Sequence, residues 1–144
     1  MRINDVIRGK GAQVVTVTPG TLVRQLLRVL AEHNIGAAVV STDRSTIEGI
    51  VSERDIVRHL TTSGIEILEG PVSSIMTEQV HTCTPADTVD ELMRLMTERR
   101  IRHVPVLVDG KIAGLVSIGD VVKTRIGELE FEREELEKYI AQTR

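Results

Sequence analysis

The sequence predicts an α/β fold of two β-α-β-β-α repeats, followed by a C-terminal helix. Three observations support this fold class: an internal repeat with an offset of 66 residues, paired stripes of apolar residues with helical spacing, and short apolar segments bounded by turn residues. The hydrophobic content of 41% is ordinary for a globular protein. The net charge of −3 does not indicate nucleic-acid binding.

The first helix of each repeat follows a Thr-Pro dipeptide. Thr18-Pro19 recurs as Thr84-Pro85, 66 residues later. The apolar residues after each dipeptide have the i, i+3, i+4, i+7 spacing of an amphipathic helix. They are Val23, Leu26, Leu27 and Leu30 in the first repeat and Val89, Leu92, Met93 and Met96 in the second.

Two short apolar strands follow each of these helices. Ala38-Val39-Val40 corresponds to Val104-Pro105-Val106 at an offset of 66, and Ile50-Val51-Ser52 corresponds to Leu115-Val116-Ser117 at an offset of 65. The change of offset places a one-residue length difference in the connecting turn. In the second repeat this turn contains Asp109-Gly110, a strong hairpin signal.

A single repeat of this size has a small core, so the two copies are expected to pack sheet to sheet with pseudo-twofold symmetry. The predicted segments are 1–62 for the first repeat, 63–71 for a linker, 72–126 for the second repeat and 127–144 for a charged C-terminal helix. The C-terminal helix either packs on its own domain or crosses to a second subunit, and the second interpretation is favoured.

A Ser-x-x-Asp motif opens the last helix of each repeat, at Ser52 and Asp55 and again at Ser117 and Asp120. Such a motif is also a helix-capping pattern, which alone could explain it. Its recurrence at matched positions beside the seam between the repeats favours a ligand-binding role as well. A carboxylate at a helix N-terminus stays ionised and can accept hydrogen bonds from the vicinal hydroxyls of a ribose.

The ordered set of motifs resembles a cystathionine-β-synthase (CBS) domain, twice over. The segments that carry the resemblance are Ile101 to Val106, Asp109 to Val122 and Gly49 to Val57, together with the Thr-Pro dipeptides. The resemblance implies a Bateman module, in which two CBS domains enclose clefts for AMP, ADP, ATP or a related adenosyl ligand.

The resemblance also implies roles for individual residues. Asp55 and Ser52 would hold the ribose and phosphate, the phosphate would meet Arg102 and His103, and Arg54 would add positive charge. The purine would rest near Thr16 and Val17 and around Ile35, Gly36, Ala37 and Ala38. Ser117 and Asp120 would form a second, weaker cleft, because Gly36, Ala37 and Gly119 stand where the first cleft has Arg102, His103 and Arg54.

The residues do not indicate an enzyme: no nucleophile–base pattern, metal-ligand set or cofactor motif stands out, so no cofactor is expected beyond the regulatory nucleotide. The preferred function is nucleotide-responsive regulation of a separate effector protein by a homodimer. The alternative is a protein-interaction module whose clefts are vestigial or bind another ligand. The apolar runs are too short to span a bilayer, and a cytoplasmic location is expected.

Overall fold

The computed structural model describes residues 1–11 and 13–142 of the chain. These residues form a mixed α/β fold with five α-helices and two small sheets, which confirms the predicted fold class. In chain order the elements are α1 (Ile3–Lys10), β1 (Thr16–Val17), α2 (Val23–His33), β2 (Ala37–Val40), β3 (Gly49–Ser52), α3 (Glu53–Ser63), α4 (Val89–Arg99), β4 (His103–Val108), β5 (Lys111–Ser117) and α5 (Ile118–Gln142). Short 3-10 turns cover Ile65–Glu69 and Val72–Ser74.

Each repeat contributes one sheet. In the first, β1 pairs in parallel with β2, which pairs in antiparallel with β3; in the second, β4 pairs in antiparallel with β5. The β4–β5 hairpin turns at Asp109 and Gly110, whose φ angles of +52° and +76° are the left-handed values that a type I′ turn requires. The hairpin predicted from the Asp-Gly dipeptide is therefore confirmed.

The second repeat has only an isolated bridge where the sequence predicts a first strand. Cys83 pairs with Val106 in parallel register, without forming a longer strand. In the first repeat the amide of Val39 donates a further hydrogen bond to the carbonyl of Val15, at 3.3 Å. Pro105 occupies the position equivalent to Val39 and has no amide hydrogen. The corresponding bond cannot form, so the strand is not extended.

The predicted helical stripes form the cores. Val23, Leu26 and Leu30 are buried in a first core, and their equivalents Val89, Leu92 and Met96 are buried in a second. Each core is completed by strand residues of its own repeat, and nearly all of the buried side chains are aliphatic.

The segment before each repeat packs on the other repeat. We call residues 1–10 the N-terminal leader and residues 70–79 the internal leader. Ile3 is fully buried in the second core, and its amide donates to the carbonyl of Asp87 at 2.8 Å. Val72 is fully buried in the first core, and its amide donates to the carbonyl of Thr21 at 2.7 Å. Thr21 and Asp87 are equivalent positions, so the exchange follows the pseudo-twofold relation of the repeats and interlocks them.

The last helix is longer than the sequence suggests. The charged segment expected from residue 127 continues α5 without a break, so α5 includes both the end of the second repeat and this segment. Val121 is buried at its start, whereas every described residue from Leu129 to Gln142 is exposed. Residues 143 and 144 of the predicted helix lie outside the described residues.

Candidate functional site

The two Ser-x-x-Asp motifs lie at equivalent corners, where a strand ends and a helix begins. Ser52 is the N-cap of α3: its hydroxyl accepts a hydrogen bond from the Asp55 amide at 3.4 Å, and its own amide donates to Asp55 Oδ2 at 2.9 Å. Ser117 and Asp120 make the same pair of bonds, at 3.2 and 2.9 Å. The capping role is therefore fulfilled at both corners, and it uses only one carboxylate oxygen of each aspartate.

A cavity of about 230 Å³ opens beside the first corner, and we call it the Asp55 cleft. Six of the residues predicted to bind a ligand line it together: Gly36, Ser52, Arg54, Asp55, Arg102 and His103. The first repeat supplies four of them and the second repeat supplies Arg102 and His103, so the cleft lies across the seam. The second oxygen of Asp55, Oδ1, has one long contact, 3.5 Å from the hydroxyl of Thr77.

Positive charge dominates the described lining of the Asp55 cleft. Four arginines, Arg54, Arg58, Arg100 and Arg102, face two carboxylates, Glu53 and Asp55. Arg100 ends α4 in the left-handed conformation with φ of +53°, which is unusual for a residue other than glycine or asparagine. A net positive cleft of this kind favours an anionic ligand.

His103 lines the cleft with a half-buried imidazole. Burial lowers the pKa of its imidazole below the usual 6.5, and the charges of Lys10 and Arg102 lower it further, against the opposing effect of Glu53 and Asp120. The neighbouring Gly36 lets the Glu53 and His103 side chains approach the backbone of the first repeat closely. A Cβ atom at Gly36 would lie 2.9 Å from the Glu53 carboxylate and 3.5 Å from the imidazole of His103.

The second corner is arranged differently, because Lys10 of the N-terminal leader reaches it. The Lys10 ammonium donates to Asp120 Oδ2 at 2.6 Å and to the carbonyl of Leu115 at 2.7 Å. Burial by itself raises the pKa of Asp120, but the hydrogen bonds from Lys10 and Ser117 outweigh it and hold the pKa below its ordinary value. Asp120 is thus ionised and already paired within the chain.

The remaining predicted contacts do not line the cavity. Thr16 and Val17 form β1, Ala37 and Ala38 are buried in β2, and Ile35 packs against the first core. Ser117 and Asp120 lie at the second corner. A purine contact by these main-chain segments stays a prediction.

Nine lining residues were not predicted as site residues: Ile50, Glu53, Arg58, Thr77, Gln79, Val80, His81, Arg100 and Ile101. The internal leader supplies Thr77 and Gln79, and the residues just after it supply Val80 and His81. They reach the first repeat because the leaders are exchanged, which the 66-residue repeat does not reveal. A signal was present in the sequence: Val72 to Thr77 resembles Ile3 to Arg8 at an offset of 69, distinct from the main repeat.

Comparisons with known proteins agree with this architecture. A model of the CBS domain matches residues 5–62 and 72–127. A mitochondrial CBS domain-containing protein of Arabidopsis thaliana is 36% identical over 146 residues, covering 96% of this chain and 71% of the relative. The crystal structure of a CBS-domain protein from Agrobacterium tumefaciens has a TM-score of 0.84 at 42% identity, covering 87% of this chain and 99% of that one. A CBS domain protein of Pyrobaculum aerophilum, solved in complex with AMP, has a TM-score of 0.74 at 28% identity, covering 83% and 89%.

Two equivalent α/β repeats with matched Ser-x-x-Asp corners beside their seam define a tandem-repeat module. The chain belongs to the CBS-domain family and contains two copies of the domain. Within residues 1–11 and 13–142, no helix is long and apolar enough to cross a membrane. The same residues contain no cluster of His, Cys, Asp and Glu side chains that could hold a metal ion.

Proposed function

We propose that this chain binds an adenine nucleotide in the Asp55 cleft and acts as a regulatory sensor. The observation that carries the proposal is the combination of four arginines with an Asp55 carboxylate that has one oxygen available for a ligand. An anionic phosphate suits the arginines, and vicinal ribose hydroxyls suit the carboxylate. The AMP complex of the Pyrobaculum aerophilum relative supports the same ligand class.

The Asp55 cleft is the stronger of the two candidate sites. The arginines lie on its side of the module, whereas the ammonium of Lys10 already pairs with the Asp120 carboxylate at the second corner. The pairing of Lys10 with Asp120 is thus a second reason, beside Gly36, Ala37 and Gly119, to propose unequal sites.

Ligand binding is tested by thermal unfolding in the presence of AMP, ADP, ATP, NAD and S-adenosylmethionine. A ligand present at 100 times its Kd stabilises the folded state by about 2.7 kcal/mol. We expect the anionic nucleotides to raise the melting temperature and the cationic sulfonium to have a smaller effect. An unchanged melting temperature with all five compounds would favour the interaction module instead.

The regulatory part of the proposal is that ligand in the cleft changes how the two repeats are placed, and that a separate effector protein responds. The cleft spans the seam, so a ligand that contacts both Asp55 and Arg102 binds one placement of the repeats better than another. This supports a sensor. The cytoplasmic location expected from the sequence stays a prediction.

We also propose that α5 mediates a homodimer. Val122, Ile126, Leu129 and Leu136 are 45 to 59% exposed and follow one another at intervals of four, three and seven residues along one face of the helix. That spacing is typical of a helix that packs against another helix. Removing residues 130–144, which takes away Leu136, and measuring mass in solution over a range of concentrations tests this: we expect a weaker dimer, and an unchanged dimer would count against the C-terminal part of α5.

A further inference from the structure

The N-terminal leader ends in a contact that occupies the second corner. Lys10 is the last residue of α1, its side chain is 40% exposed, and its ammonium donates to Asp120 Oδ2 and to the carbonyl of Leu115. The same helix crosses β5 at Gly114, one turn before Lys10. A Cβ atom added at Gly114 would lie 3.4 Å from the Ile7 side chain. The contact is therefore held by the packing of α1 as well as by charge.

The contacts that Ile7 and Lys10 make at the second corner have equivalents at the first corner, except for the ion pair. Met76 lies over Gly49 as Ile7 lies over Gly114. The amide of Thr77 donates to the carbonyl of Ile50 at 2.8 Å, in the place where Lys10 donates to Leu115. At the leader offset of 69, the residue equivalent to Lys10 is the neutral Gln79, which lines the open cleft. The internal leader thus lines the Asp55 cleft, whereas the N-terminal leader places the Lys10 ammonium against Asp120.

We infer that Lys10 is an internal ligand of the second corner, a latch that competes with nucleotide for Asp120. With Lys10 in place, the Asp120 carboxylate pairs with an ammonium through Oδ2, the same oxygen that accepts from the Ser117 amide. This inference rests on the proposed function, because the excluded ligand is taken to be the adenine nucleotide that the first cleft binds.

The latch is built to open without unfolding the module. Ile3 and Val6 anchor the start of α1 in the second core. Lys10 is flanked by glycines: Gly9 weakens the last turn of the helix, and Gly11 ends the helix with φ of +95°, a backbone conformation that glycine adopts readily. A partly exposed ion pair is also weak, so the last turn can leave Asp120 while the rest of α1 stays bound.

The competition is tested by titration calorimetry with AMP in an Asp55→Ala background, which isolates the second corner. Adding Lys10→Met removes the charge but keeps an apolar side chain of similar length. We expect this change to tighten AMP binding by about fivefold, the factor that a partly exposed ion pair supplies. Lys10→Arg is the matched control and should leave the Kd within about twofold, because it keeps the cation. Adding Asp120→Ala to the Lys10→Met protein should abolish the gain.

The outcomes separate this inference from the proposed function. If the natural chain binds AMP through Asp55 but Lys10→Met gives no tighter binding at the second corner, the latch is overturned and the Asp55 site stands. If AMP binds to the Lys10→Met protein but not to the natural chain, the latch stands and the Asp55 cleft is not the nucleotide site. If neither the natural chain nor any variant binds AMP, the latch and the proposed nucleotide site are both wrong.

A readout without nucleotide tests the contact itself. Reductive methylation followed by mass spectrometry should modify Lys10 more slowly than the exposed Lys111, because two acceptors hold its ammonium. Asp120→Asn should raise the rate at Lys10 and leave Lys111 unchanged. Equal rates for the two lysines in the natural chain would overturn the latch.

Discussion

Asp55 has two roles that one substitution can separate, the helix cap and the proposed ligand contact. In Asp55→Asn, the carboxamide oxygen can still accept from the Ser52 amide, so the cap is largely kept. We expect the free energy of unfolding to fall by less than the ~1 kcal/mol that loss of an N-cap typically costs. A hydrogen bond to a charged group contributes about 1.5–3 kcal/mol. Loss of the carboxylate should therefore weaken AMP binding by about 10- to 150-fold.

The assays are urea unfolding for the cap and titration calorimetry with AMP for the contact, and Asp120→Asn is the matched control. This control makes the same chemical change at the second corner, where the capping bonds are equivalent. Because Asp120→Asn also removes the charge partner of Lys10, we expect it to lower the free energy of unfolding by up to about 1 kcal/mol more than Asp55→Asn and to leave the affinity of the first cleft unchanged. Equal loss of AMP affinity in both variants, or a loss that merely follows stability, would refute the assignment of Asp55 as a ligand contact.

Three further predictions concern the leaders, the imidazole and the thiol. Ile3→Ala should destabilise the protein by about 3 kcal/mol and shift methyl resonances of the second core but not of the first. Val57→Ala, at an exposed position, is the control and should change the free energy of unfolding by less than about 0.5 kcal/mol. A bound phosphate should raise the lowered pKa of His103, so AMP binding should take up protons and strengthen as the pH falls through the pKa of the imidazole in the complex. Burial raises the pKa of Cys83 to about 12, and the Asp87 carboxylate adds to this effect, so an aromatic disulfide should modify it at pH 8 only after unfolding.

Each of these predictions has an outcome that contradicts it. Perturbation of the first core by Ile3→Ala would contradict the exchange of leaders. For the imidazole, calorimetry in buffers of different ionisation enthalpy measures the proton uptake, and His103→Gln should remove the part that is not due to the phosphate of AMP itself. An equal pH dependence in that variant would assign the protons elsewhere. Rapid labelling of Cys83 in the native protein would show that the second core opens.

The repeat and its secondary structure were predictable because they depend on local patterns. Helical stripes, the Asp109-Gly110 turn and the Ser-x-x-Asp caps each act over a few residues, and each is found where the sequence indicates it. Pro105 shows the limit of this reasoning. Pro105 has no amide hydrogen, so the neighbouring segment around Cys83 pairs with β4 only as an isolated bridge.

The candidate site was predictable in part for the same reason. Residues at the corner itself, such as Ser52 and Asp55, are marked by a motif, and the pair Arg102 and His103 by the resemblance to the family. Thr77 and Gln79 could not be assigned to the first cleft, because their place depends on which repeat the internal leader docks against. Lys10 contacts a residue 110 positions away in the chain, and no local pattern connects the two.

The exchange of leaders means that the unit of folding and the unit of sequence are different. A polypeptide cut near residue 66 would separate each leader from the core that it completes, since Ile3 would stay with one half and the helix it packs against, α4, with the other. Either half alone would expose an empty docking surface and a displaced apolar segment. Mixed together, the two halves would satisfy each other, so the protein should lend itself to fragment complementation, with reassembly reporting directly on the seam where the cleft lies.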